Sequence, residues 1–195
     1  MAIYKSKDVE YMSKLKKAVL KGMKGRMPEE KSYTWEYVRK QVTLDDLHQY
    51  AVSELGKIVH FPTDNYNAKI MVVFLHPPTK EEKEILYRML EAIKIPKDDV
   101  YITYYYKTSV ETESEKSVLE QVLNAEISII GPRLILSFGF PFHHQSHVVT
   151  DFKNAKLLIT YDIQYLFQND NMVPVEDRKR ALWRDFKQII QYYKM

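Results

Sequence analysis

Cysteine is absent from the 195 residues, which excludes disulfides, thiolate-ligated zinc, iron–sulfur clusters and a cysteine nucleophile together. Glycine is scarce: Gly22, Gly25, Gly56, Gly131 and Gly139 are the full set, and none stands in a GxGxxG or P-loop arrangement. A glycine-rich phosphate cradle is therefore not expected. No apolar run approaches the length of a membrane span, and the first residues, Met1-Ala2-Ile3-Tyr4-Lys5, carry no apolar core of a secretory signal. A cytoplasmic location is the expectation. Internal repeats and low-complexity tracts are missing as well.

What remains is an ordinary globular composition, 45% hydrophobic and 28% charged, in a length that fills one core well. The net charge of +3 hides an asymmetry. Residues 1–40 hold 11 Lys/Arg against 5 Asp/Glu, and the rest hold 18 against 21. The basic character belongs to the N-terminal segment. There Val9, Met12, Leu15, Val19 and Met23 recur at helical spacing, with Lys14, Lys16, Lys17, Lys21, Lys24 and Arg26 around them. Such a helix suits phosphate backbones, an anionic membrane surface or an acidic partner groove. It is equally a solvated face docked through its apolar stripe. Residues 1–42 thus form a basic helical extension, and residues 43–195 the body.

From Thr43 onward the pattern is regular. Thr43–Asp46 and Thr79–Glu82 read as capping boxes, opening helices at Leu44–Leu55 and after Thr79. Continuous apolar runs at Lys69–Leu75, Val100–Tyr106, Leu134–Phe138 and Leu157–Thr160 read as strands buried on both faces. Helices are expected at Ser114–Ile130 and Val175–Tyr193. Strand–helix alternation at this spacing implies an α/β fold, three-layer α/β/α, with a central parallel sheet of about four strands. Ligands of such sheets sit beyond the carboxyl ends of the strands. Those ends are Leu75–Pro78, Tyr104–Thr108, Phe138–His144 and Thr160–Gln164.

Several segments, in order, carry a resemblance. They are Val59–Lys69 (VHFPTDNYNAK), Ile70–Val73, Pro96–Lys107 (PKDDVYITYYYK), Ile129–Gly139 (IIGPRLILSFG) and Thr160-Tyr161-Asp162-Ile163-Gln164-Tyr165-Leu166, followed by Trp183-x-Asp185-x-Lys187. Together they resemble the uracil-DNA glycosylase superfamily across roughly residues 44–190. That family draws a uracil out of the duplex and cleaves its glycosidic bond.

The resemblance implies a pocket rimmed by His76, Pro77, Tyr104, Lys107, Asp162 and Tyr165. It also marks where chemistry is replaced. Leu75 stands where an acidic or amide side chain positions water, and Tyr104 where an asparagine reads the base. Asp162 stands where a histidine stabilises the uracil anion, and a carboxylate there would repel that anion. Gln168 replaces an arginine. The resemblance without its working groups implies a vestigial pocket, no cofactor, and a non-catalytic role in binding DNA or a replication or repair protein. Accessory subunits of replication complexes reuse the same plan. The alternative is an active glycosylase or related hydrolase that uses Asp162 or His76 as acid or base.

Three further groupings invite chemistry. Asp162, Asp151 and His76 could form an acid/base set. His143, His144 and His147 carry metal-like spacing, but no carboxylate stands beside them in a ligand pattern, and a polar loop is the expectation. Tyr104, Tyr105 and Tyr106 with Lys107 suit a stacking platform for single-stranded nucleic acid, and tyrosine is equally a common strand filler.

Overall fold

The computed structural model describes residues 43–62, 65–139, 146–167 and 174–194. The lysines and Arg26 of the N-terminal segment lie outside the described residues, as do His143, His144 and Gln168. The described chain divides into two compact units, one of residues 43–60 and 108–129, the other of 61–107 and 130–194.

The first unit is helical. Its helix α1 (Leu44–Leu55) starts where Thr43 Oγ1 accepts from the Asp46 N–H while the Asp46 carboxylate accepts from the Thr43 N–H. It stops at Gly56, whose φ of 62° admits the left-handed cap and directs its N–H to Val52 O. Leu44, Leu47, Ala51 and Leu55 form the buried stripe. The chain then runs through β1 (Ile70–Phe74), α2 (Lys80–Ala92) and β2 (Val100–Tyr104) of the second unit, and α3 (Glu113–Ile130) returns to this unit. A third capping box opens it: Thr112 Oγ1 accepts from Glu115 N–H, and Glu115 accepts from Thr112 N–H. Lys57 reaches both Glu111 (3.3 Å) and Glu115 (2.5 Å).

The second unit holds the sheet: β1 (Ile70–Phe74), β2 (Val100–Tyr104), β3 (Leu134–Phe138), β4 (Thr150–Phe152) and β5 (Ala155–Thr160). Their spatial order is β2-β1-β3-β5-β4, parallel except for β4, which pairs antiparallel with β5. All residues of β1 and β3 are buried, as central parallel strands require. On one face, Val72, Phe74, Leu134, Leu136, Phe138 and Leu158 pack with Leu86 and Leu90 of α2 (Lys80–Ala92) and with Leu182, Phe186 and Ile189 of α4 (Val175–Tyr193). Burying the three α4 side chains contributes roughly 5–8 kcal/mol, comparable with the net stability of a whole domain. That stripe decides which way α4 faces.

The chain is therefore α/β, with a central, mostly parallel sheet flanked by helices, the three-layer α/β/α class expected. Two details differ from expectation. A fifth strand, β4, edges the sheet. It has only three residues, too few for any alternation to register. And β2 ends at Tyr104 rather than Tyr106. Tyr105 N–H and Tyr106 N–H still bond to Phe74 O and Leu75 O, but Lys107 N–H turns back onto Tyr105 O at 3.0 Å and diverts the chain.

Helix α2 closes through an unusual residue. Lys94 has φ +61°, its N–H bonds to Glu91 O, and the Ile95 N–H bonds to Leu90 O. This is the paired-bond stop usually built on glycine.

Candidate functional site

At the carboxyl edge of the sheet, β1 and β3 are the neighbours between which the chain reverses direction of travel, the place where α/β sheets usually hold ligands. Leu75 lies there, half-buried. Gly139 faces it with φ +81°, and a Cβ on that glycine would stand 3.9 Å from Leu75 Cβ. An apolar side chain thus occupies the position where a water-polarising group was looked for.

The remaining rim residues are committed to contacts within the chain. Lys107 is 1% exposed. Its ammonium donates to Thr103 Oγ1 at 2.7 Å and lies 4.6 Å and 5.1 Å from the ring centres of Phe61 and Tyr104. A buried ammonium needs such partners, because desolvation alone would penalise its charge. It fills the wall rather than facing a ligand. His76 is exposed, as is Pro77, and the His76 ring stacks on Tyr106 at 5.0 Å, with Tyr105 edge-on to Tyr106 at 4.8 Å. Strand alternation would set Tyr104 and Tyr106 on one face and Tyr105 on the other, but β2 ends at Tyr104 and the other two lie beyond it.

Asp162 caps the short 3-10 turn Ile163–Leu166: its Oδ1 accepts from the Gln164 N–H at 2.9 Å. Tyr165, half-buried, stacks on Tyr161 at 4.8 Å. Arg178, 1% exposed, donates to Tyr165 O at 3.2 Å and lies 5.2 Å from the Tyr165 ring centre.

The acid/base set of Asp162, Asp151 and His76 does not assemble. Asp151 is on β4 opposite Lys156, which it meets at 2.5 Å, near the start of β5. Asp162 follows the end of that strand. Six residues of extended chain put the two about 20 Å apart, too far for shared proton transfer.

His147 was expected in a polar loop. It does lie in a turn, half-buried, and its Nδ1 lies 2.6 Å from Asp185 Oδ2. Thr160 Oγ1 donates to the same oxygen at 2.7 Å, and Tyr161 packs against the His147 ring at 4.3 Å. Asp185 is fully buried, with Oδ1 lacking a hydrogen bond and Arg184 Nε 3.7 Å away. Sequence reading placed Thr160 and Asp185 in the framework of the resemblance but missed His147 as their partner. No cluster of three metal-ligating side chains occurs among the described residues.

The opposite edge of the sheet carries groups that sequence reading did not single out. Lys69 precedes β1, Arg133 precedes β3 and Lys156 lies near the start of β5, so neighbouring strands each present a cation. A shallow depression of about 500 Å³ is lined by Arg133, Asp151, Lys153, Asn154, Lys156 and Tyr192, together with Ala155. Lys156 lies 5.9 Å from the Tyr192 ring centre, and its bond to Asp151 holds its pKa above the usual lysine value. Next to it, Asp99 accepts from both the Tyr193 hydroxyl and Lys69 (2.9 Å). These bonds hold its carboxyl below the usual range and push the Tyr193 hydroxyl up to about 12. The signal in the sequence was a basic residue ahead of successive strands, meaningless until the strand order is known.

No protein-family model and no curated protein matches the chain. No helix among the described residues is long and apolar enough to cross a membrane.

Proposed function

We propose that the chain is a non-catalytic module on a uracil-DNA glycosylase-like plan, acting in the cytoplasm by recognising DNA within replication or repair. The observation that carries this reading is the bond from Gln164 N–H to Asp162 Oδ1 at 2.9 Å. The one acidic group at the position of an anion-stabilising histidine is occupied in holding the backbone, and as a carboxylate it opposes the negative charge that base release creates. Leu75, half-buried beside Gly139, supports the same reading, since an alkyl side chain neither positions nor polarises water. Lys107, enclosed by Phe61 and Tyr104, leaves the base-reading position occupied by an aromatic–cation contact.

The test uses the full chain against duplex and single-stranded oligonucleotides containing uracil, hypoxanthine or oxidised bases, with strand scission after alkali as the readout. No release above the protein-free background is expected from any lesion, together with DNA binding that weakens steeply with salt. Base release that disappears in Asp162→Asn or His76→Ala overturns the reading in favour of an active glycosylase. Absence of DNA binding at low salt overturns the nucleic-acid assignment and leaves a protein partner.

A further inference from the structure

We propose that the amino edge of the sheet, around Arg133, Lys153, Lys156 and Tyr192, binds the phosphate backbone of single-stranded nucleic acid. The inference rests on the reading above only in taking nucleic acid as the partner. It places the contact at the amino edge of the sheet, opposite the strand ends that carry His76, Tyr104 and Asp162.

Lys69 and Arg133 stand level just ahead of the neighbouring strands β1 and β3, about 4.8 Å apart, and Lys156, second residue of the next strand β5, is level with Leu134, one position further on. The three cations thus gather at the amino end of the sheet. Lys69 is tied to Asp99, and Lys156 to Asp151. Arg133 is exposed and makes no ion pair among the described residues. Arg133, Lys153 and Lys156 line the depression with one carboxylate, Asp151. The guanidinium of Arg133 presents a planar fork suited to phosphate oxygens.

Shape and aromatic content then select among anions. The depression is shallow and open, as fits a polymer crossing the surface rather than an enclosed metabolite. Tyr192 lines it with its ring beside Lys156, and Phe152 lies 5.6 Å from the Lys153 ammonium. Cations that follow a backbone beside rings that receive bases are the requirements for single-strand binding. An acidic peptide would use the charges and leave the rings without a role. The Lys153 backbone, at φ +53° in the turn between β4 and β5, sets that lysine at the tip of the hairpin beside the depression.

The test is fluorescence anisotropy of a labelled 20-nucleotide oligothymidylate with the full chain at 50–200 mM salt. The variants are Arg133→Gln/Lys153→Gln and, separately, Tyr192→Ala and Tyr192→Phe. Arg133 and Lys153 are exposed, whereas Tyr192 is half-buried against the core, so circular dichroism and thermal melts check that each variant folds. The charge-removal pair is expected to weaken binding at least tenfold and to lower the salt slope by about 1.4, the value for two lost single-strand phosphate contacts. Tyr192→Ala is expected to cost about tenfold, and Tyr192→Phe to bind as the parent does.

Binding by the parent that neither variant changes overturns this surface while leaving DNA recognition standing. Absence of oligothymidylate binding at low salt overturns both readings. Displacement of the oligomer by inorganic phosphate at equal phosphate concentration overturns strand binding in favour of a single-anion site. Equal affinity for polyglutamate overturns it in favour of an acidic protein partner.

Discussion

Thr160, the last residue of β5, donates its hydroxyl to the carboxylate of Asp185 in the middle of α4, 2.7 Å away. The two residues stand 25 apart in sequence. Their bond fastens the closing helix to the end of the sheet. The same Asp185 oxygen holds His147, so one buried carboxylate organises the turn before β4, the exit of β5 and α4.

Asp185→Ala is expected to lower unfolding free energy by about 3 kcal/mol, because it strands the Thr160 hydroxyl and the His147 ring without their acceptor. Asp185→Asn keeps an acceptor for Thr160 and is expected to cost less, about 1 kcal/mol. Urea denaturation followed by tyrosine and tryptophan fluorescence measures both. Equal losses for the two variants would mean that packing, not hydrogen bonding, explains the burial of Asp185.

Lys94→Gly is expected to stabilise the protein by about 0.5–1 kcal/mol. A side chain at φ +61° pays a steric penalty that glycine avoids, partly offset by glycine's greater freedom in the unfolded chain. A shift of the urea midpoint with an unchanged slope is the expected result. A lower midpoint would show that the Lys94 side chain makes a contact of greater value than the strain.

Two groups joined by one bond predict stability at both ends of the pH scale. The Tyr193 hydroxyl, bonded to Asp99, is held up to about 12 from 10.0. Its contribution is present below pH 10 and is lost as pH rises through about 12. The Asp99 carboxyl is held below 3.8 by the Tyr193 and Lys69 bonds, so its contribution is present above pH 3.8 and lost on further acidification. Absorbance at 295 nm should show two late-titrating tyrosines, Tyr50 and Tyr193, of which one is lost in Tyr193→Phe. An unchanged high-pH transition in that variant would refute the assignment.

Glu115 is held at about 2 by Lys57 and by the N–H groups of Glu111 and Thr112. Helix α3 should therefore keep its start down to pH 4.5 and lose that support between 4.5 and about 2. Carboxyl chemical shifts followed by NMR against pH would report this residue directly. Thr112→Ala removes the reciprocal half of the box and is expected to cost about 1 kcal/mol.

Much of the fold was legible because its causes are local. The capping boxes at Thr43 and Thr79 act within three residues, and α1 and α4 run between the bounds their caps and apolar spacing imply. The box at Thr112–Glu115 has the same form, and overlooking it set the start of α3 one residue late. Apolar runs identified four strands, whereas β4 was too short to leave a pattern. Of the expected pocket, the positions at the strand ends were readable, but the occupations of their side chains were not. Nothing in the string LHPP reveals that Leu75 faces Gly139, and nothing in YDIQ reveals that Asp162 prefers the Gln164 N–H to a ligand.

The amino-acid sequence alone determined where helices and strands form, since hydrogen-bonding caps and side-chain periodicity act over three or four residues. Only tertiary structure decided which ends meet. Pairing order in the sheet sends Asp151 and Asp162 to opposite ends of the strands, and it brings Lys69, Arg133 and Lys156 to the same end. It also encloses Lys107 between two rings. Those outcomes depend on how the whole core packs, and burial of the sheet's apolar faces, not any local preference, selects the neighbours of each strand.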